Sequence, residues 1–186
     1  MIMSMYKRIC ITNRKLCKDD FIERLKRLSL DDSIEYFILR EKDLSLKEYI
    51  SLINEVKPIL QDKLILHSNF EACKELNINR LHLPLYKLIE NPDIKQNTSL
   101  LGVSVHSVDE ALKAQNLGAD YIIAGHIFNT ACKPDLPARG LEFLQNICKN
   151  VNIPVYAIGG ITPQNEHLVL NTGASGVCMM QYFMIL

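Results

Sequence analysis

Eight short apolar runs, each separated from the next by a stretch with helical spacing or by turn residues, restrict what this chain can fold into more than any single motif does. The runs fall at residues 9–12, 34–39, 63–67, 80–83, 100–105, 121–126, 154–158 and 176–180. They are continuously apolar rather than alternating, the pattern of parallel strands buried on both faces by helices. Between them, Asp19 and Asp20 precede Phe21, Ile22, Leu25 and Leu28 at helical spacing. Ser45 and Glu48 form a capping-box pattern for a helix to about residue 59, with Pro58 predicting a break. A short helix follows Asn69, Ser107 and Glu110 open one that Gly118 ends, and another covers residues 141–151. Thr162 and Pro163 predict the cap and first turn of a helix running to about residue 170. Residues 85–98, with Pro92 and several Asn and Gln, predict no long helix.

Eight strands alternating with helices predict an α/β fold, a (β/α)8 TIM barrel in a single domain spanning residues 1–186. It is compact, since the fold more usually takes ~250 residues. It is expected to lack its final C-terminal helix, because only six residues follow position 180. The apolar surface so exposed predicts a second copy of the chain, a homodimer. An open doubly wound sheet would fit the same alternation, but no GxGxxG follows the first strand.

Charge balance excludes some partners. With 21 basic and 21 acidic residues spread along the chain, nothing predicts a nucleic-acid groove. No run approaches the ~20 apolar residues of a membrane span, so a soluble, cytoplasmic protein is expected. Six cysteines, Cys10, Cys17, Cys73, Cys132, Cys148 and Cys178, have no CxxC or metal-finger spacing and read as reduced thiols.

Barrel active sites lie at the carboxyl ends of the strands, often with phosphate held after strands seven and eight. That rim carries Thr12, Asn13, Arg14, Arg40, Lys42, His67, Ser68, His82, Ser104, His106, His126, Gly159, Gly160 and Gln181. The loop at residues 127–139, longer than a turn requires, adds Thr130, Cys132, Lys133 and Arg139. His126 ends the sixth run and titrates near neutral pH, which suits a group that takes a proton from one carbon and delivers it to another; a histidine merely satisfied at a strand end is the alternative. Gly159-Gly160 stands before a helix and offers bare N–H groups to an anion, although a tight turn needs small residues too. Lys133 and Arg139 would serve an anionic substrate or simply solvate the loop. Arg40 and Lys42, two apart, would point one inward and one outward. No histidine pair stands at metal-ligand spacing with a carboxylate, so no metal is predicted.

Leu39-Arg40-Glu41-Lys42-Asp43, Gly102-Val103-Ser104-Val105-His106-Ser107, Gly118-Ala119-Asp120, Gly125-His126-Ile127-Phe128, Lys133-Pro134, Arg139-Gly140-Leu141 and Ile153-Pro154-Val155-Tyr156-Ala157-Ile158-Gly159-Gly160-Ile161-Thr162-Pro163 together resemble the thiamine phosphate synthase/TenI superfamily, over nearly the whole chain. The resemblance implies one of two activities in thiamine biosynthesis. A synthase joins a hydroxymethylpyrimidine diphosphate to a thiazole phosphate with Mg²⁺. A TenI-type thiazole tautomerase, an isomerase without a cofactor, aromatises the thiazole carboxylate phosphate.

Where a synthase is expected to carry Asn-Asp after strand three, this chain has His67-Ser68; where it carries Gly-Gln and an acidic pair after strand four, this chain has Pro84-Leu85-Tyr86-Lys87. Gly125-His126-Ile127-Phe128 replaces Gly-Pro-Ile-Phe, and Thr130-Ala131-Cys132-Lys133 replaces Thr-x-Thr-Lys. These departures resemble the tautomerase branch. They imply His126 as general acid/base, Arg40, Lys42, Ser104, Thr130 and Lys133 around a small phosphorylated thiazole, and Gly159, Gly160 and Gln181 at its phosphate. The alternatives are a synthase using Mg²⁺ and a non-catalytic protein that binds a phosphorylated ligand.

Overall fold

A computed structural model describes residues 7–130 and 136–185. Eight parallel strands close into a barrel in sequence order, each hydrogen-bonded to the next and β8 to β1. They are β1 (Lys7–Ile11), β2 (Ile34–Leu39), β3 (Leu64–His67), β4 (Arg80–Pro84), β5 (Leu100–Val105), β6 (Tyr121–Gly125), β7 (Val155–Ile158) and β8 (Gly176–Met179). The connecting helices are α1 (Phe21–Ser29), α2 (Leu46–Leu60), α3 (Phe70–Glu75), α4 (Leu85–Glu90), α5 (Val108–Asn116), α6 (Gly140–Asn150), α7 (Glu166–Leu170) and α8 (Gln181–Ile185). None of the described helices is long and apolar enough to cross a membrane.

The continuous apolar runs split by strand alternation into two cores. Ile9, Ile11, Ile38, Ile65, Tyr121, Ile123, Tyr156 and Cys178 pack together inside the barrel. Their neighbours Cys10, Phe37, Leu39, Leu64, Leu66, Ile122 and Ala157 pack outward among the helices. Two glycines make room for the interior tyrosines. A Cβ on Gly102 would stand 2.1 Å from Cζ of Tyr121, and one on Gly176 would stand 2.8 Å from the ring of Tyr156.

Local signals hold at the starts of α1, α2 and α5. Asp20 accepts from the N–H of Glu23, Ser45 and Glu48 form both halves of a capping box, and Ser107 accepts from the N–H of Glu110. Pro58 is carried inside the last turn of α2, which runs on to Leu60 before Gln61 turns to φ +48°.

Residues 85–98 carry no long helix, as expected: α4 and a 3₁₀ helix at Pro92–Asn97 are two short pieces that Asn91 separates. Two expectations need correction. α7 begins at Glu166, not at Pro163, because the Asn165 side chain folds back to accept from the N–H of Thr162 and donate to the carbonyl of Gly160. The final helix is shortened rather than absent. In α8, Phe183 and Met184 are buried, and the Arg24 guanidinium donates to the Phe183 carbonyl at 3.2 Å. Phe183 and Met184 join the outer core, so the homodimer expectation loses the missing helix on which it rested.

Candidate active site

A cavity of about 1040 Å³ opens at the carboxyl ends of the strands. Arg40, Lys42, Ser104, His126, Thr130, Gly159, Gly160 and Gln181 all line it. Lys133 and Cys132 lie outside the described residues. Arg139 does not line the cavity: its guanidinium lies 5.2 Å from the Phe143 ring centre. His67, His82 and His106 line the cavity, whereas His167 sits on α7, away from it.

Arg40 and Lys42 both line the mouth, contrary to the expectation from alternation, because β2 ends at Leu39 and they belong to the loop beyond it. That loop is fixed by a carboxylate the sequence reading passed over. Glu41, buried, accepts from the Thr12 hydroxyl at 2.7 Å and from the Arg14 backbone and guanidinium, while Thr12 Oγ1 accepts from the N–H of Arg40. Arg14 and Lys15 also hold Asp43, and the Arg14 guanidinium keeps its carboxyl far below the usual range. Asn13 and Arg14 therefore brace the rim from behind and do not line the cavity.

Lys87 of α4 is a further cation that sequence reading missed. It donates to the carbonyl of Ser68 at 3.0 Å and lines the cavity. Beside it, burial, then His82, Arg40, Lys42 and Lys87 push the His67 imidazole down to about 2. Burial alone pushes His82 down to about 3. Both rings are neutral, and they stack with centres 6.0 Å apart.

His126 stands directly after β6 and is buried. Its Nε2 lies 3.2 Å from the carbonyl of Leu136. A carbonyl only accepts, so Nε2 carries a proton, and in the tautomer this selects the lone pair is on Nδ1. The loop is pinned at its far end, where the N–H of Arg139 donates to the His126 carbonyl at 3.1 Å.

Gly159 packs against this residue so closely that a Cβ would stand 2.3 Å from Cβ of His126, and its φ of +109° is one that side chains rarely adopt. Gly160, at φ +64°, packs likewise on Phe128 and Asn129. Their carbonyls accept from Phe128 and Asn165, while among the described residues nothing accepts from their N–H groups. This is the form of an anion-receiving turn.

The mouth thus has two sides suited to anions. The cations Arg40, Lys42 and Lys87 follow β2 and β4, and the glycine turn follows β7. A divalent cation would not find its ligands here. Among the described lining residues Glu41 is the one carboxylate, both of its oxygens are engaged by Thr12 and Arg14, and no three of His, Cys, Asp and Glu converge. The described residues do not fit a Mg²⁺-diphosphate site.

The chain is similar to a thiamine-phosphate synthase of Clostridium acetobutylicum, 31% identical over 94% of this chain and 85% of that one. A putative thiamine-phosphate synthase 2 of Aquifex aeolicus is also 31% identical, over 98% of this chain and 100% of that one. Among solved structures, thiamine phosphate pyrophosphorylase from Pyrococcus furiosus superposes with a TM-score of 0.81 at 26% identity, covering 97% of this chain and 88% of that one. Residues 9–183 match the family described as thiamine monophosphate synthase, and on this match the chain belongs to that TMP-TENI family.

Proposed function

We propose that the protein is an enzyme of thiamine biosynthesis, an isomerase that aromatises a thiazole carboxylate phosphate. The observation that carries this reading is the mouth itself: anion-receiving groups on two sides, His126 against one of them, and, among the described residues, no carboxylate left over for a metal. A substrate with a phosphate at one end and a carboxylate at the other matches that distribution. With the phosphate on Gly159 and Gly160 and the carboxylate toward Arg40, Lys42 and Lys87, the heterocycle between them lies within reach of His126. Thr130 and Gln181 complete the rim in this reading, and Lys133 is assigned to the same substrate by the resemblance alone.

The reaction needs one base. Nδ1 of His126 takes the proton from the ring carbon that bears the carboxylate. The electron pair of that C–H bond shifts through the conjugated system, and the same imidazolium returns the proton to the exocyclic carbon, so that composition is unchanged while the ring becomes aromatic. General acid/base catalysis of this kind contributes ~10²–10⁴-fold. Holding both anionic ends supplies the alignment.

The second reading is a synthase, favoured by the names of the 31% identical relatives. The two separate in one assay. Supplied with the non-aromatic thiazole carboxylate phosphate, the protein is expected to generate the ultraviolet absorbance of the aromatic product without added metal. Product formed only from hydroxymethylpyrimidine diphosphate, thiazole phosphate and Mg²⁺ would replace this proposal with the synthase reading. Tight binding of thiazole phosphate with neither product would leave a binding protein.

A further inference from the structure

Behind Ser104 lies a buried chain of polar groups that the proton transfer does not use. Ser104 Oγ is 2.8 Å from Nε2 of His82, and Nδ1 of His82 is 3.2 Å from the hydroxyl of Tyr121. The three residues sit on β5, β4 and β6. Gly102 permits the arrangement, since a Cβ there would fall 2.3 Å from the Tyr121 hydroxyl and 2.5 Å from Nδ1 of His82.

The chain can run in either of two directions. A neutral imidazole carries one N–H and one lone pair, so it relays a hydrogen bond in a single sense. If Nδ1 held the proton, it would donate to the Tyr121 oxygen. The Tyr121 O–H would then point into the barrel interior, where among the described residues it has no other polar partner. A buried hydroxyl without an acceptor is costly. If Nε2 holds the proton, every donor is used: Tyr121 donates to Nδ1, Nε2–H donates to Ser104, and the Ser104 proton is left for the cavity, which its side chain lines.

We infer that Tyr121 and His82 are positioning residues that fix Ser104 as a hydrogen-bond donor to an anionic oxygen of the ligand. Burial keeps the imidazole neutral, which preserves the relay. Ser104 lies two strands from the glycine turn of β7 and beside the Lys87 side of the mouth. The oxygen it meets is therefore that of the end remote from the phosphate, a carboxylate. This last step rests on the substrate reading above, whereas the direction of the chain does not.

The test has two arms. Nitrogen-15 NMR of the histidine side chains in the full-length protein is expected to find His82 as the Nε2–H tautomer, with Nδ1 unprotonated from pH 8 to pH 5. Tyr121→Phe, which removes only the hydroxyl, is expected to move the proton to Nδ1 or to mix the tautomers. An Nδ1–H tautomer in the unsubstituted protein overturns the inference outright. In the binding arm, Tyr121→Phe and Ser104→Ala are each expected to weaken the aromatic thiazole carboxylate phosphate about 10-fold, the size of one hydrogen bond to a charged group, and to leave decarboxylated thiazole phosphate unchanged. The double variant should lose no more than Ser104→Ala alone. Additive losses, or equal losses for both ligands, would overturn the coupling of Tyr121 to the carboxylate. If the unsubstituted protein binds neither ligand, the substrate reading fails while the tautomer result stands by itself.

Discussion

At the amino-terminal end of the barrel Lys7 meets Glu35 at 2.5 Å, Tyr156 donates to the same carboxylate at 2.7 Å, and Arg8 grips both oxygens of Glu166 while also donating to Ser33. At the carboxyl end, among the described residues, Arg40 and Lys87 have no ion pair, and the one lining carboxylate, Glu41, faces Arg14 behind the rim. The same eight strands therefore end in matched charges on one side and an excess of positive charge on the other. A matched ion pair holds strands together; a cation without one gains its Coulombic partner when an anion arrives. The foot is built for the fold and, in the proposed reading, the mouth for a ligand.

Substitutions sharpen the contrast, and their expected effects on the folded state descend in size. Gly159→Ala, at the mouth, should be the most damaging. The new methyl meets His126 at a positive φ, so strain and overpacking together should cost roughly 2–4 kcal/mol in urea unfolding and abolish phosphate binding. Glu166→Gln, at the foot, should cost roughly 1.5–3 kcal/mol by weakening a partly buried, bidentate pair with Arg8, and leave turnover unchanged. A large loss of turnover there would break the division between the two ends.

Acid should weaken the fold through the mouth. His67 and His82 are held at about 2 and about 3, below their ordinary 6.5. Below pH 6.5 the unfolded chain binds protons that the folded chain refuses, so this stability is present above pH 6.5 and is lost as pH falls toward 3. Between pH 7 and pH 5 each ring accounts for about 2 kcal/mol, and His82→Gln should flatten the pH dependence of the urea midpoint accordingly. An unaltered slope would mean that His82 is not buried neutral. Arg40→Met should be the mildest for the fold, within about 0.5 kcal/mol, because no partner among the described residues is lost. Binding of a phosphorylated carboxylate should nevertheless weaken about 10-fold, more so at low ionic strength.

The strands were legible because continuous apolar runs have few other uses, and Arg40, Lys42, Ser104, His126, Gly159, Gly160 and Gln181 line the cavity because they stand at or just past the points where those runs stop. What escaped had no local signature. Lys87 reaches the cavity from α4, a single short helix that starts directly after Pro84, and Glu41 reads as one charge among four until Thr12 and Arg14 close on it. Tyr121 reads as an apolar strand residue, and only the vacancy at Gly102, one strand away, brings its hydroxyl to His82. Asn165 displaced Thr162 at the start of α7 because its amide found the Gly160 carbonyl, a contact set by the glycine turn rather than by helix propensity.

Single-turnover conversion of the non-aromatic thiazole carboxylate phosphate, followed by product absorbance for the unsubstituted protein and for His126→Ala, tests the central claim most directly. A rate well above the uncatalysed one that falls ~100-fold or more in the variant, with the urea midpoint retained, is the result predicted for a single general acid/base. Equal rates in the two proteins would contradict it and remove His126 from the chemistry.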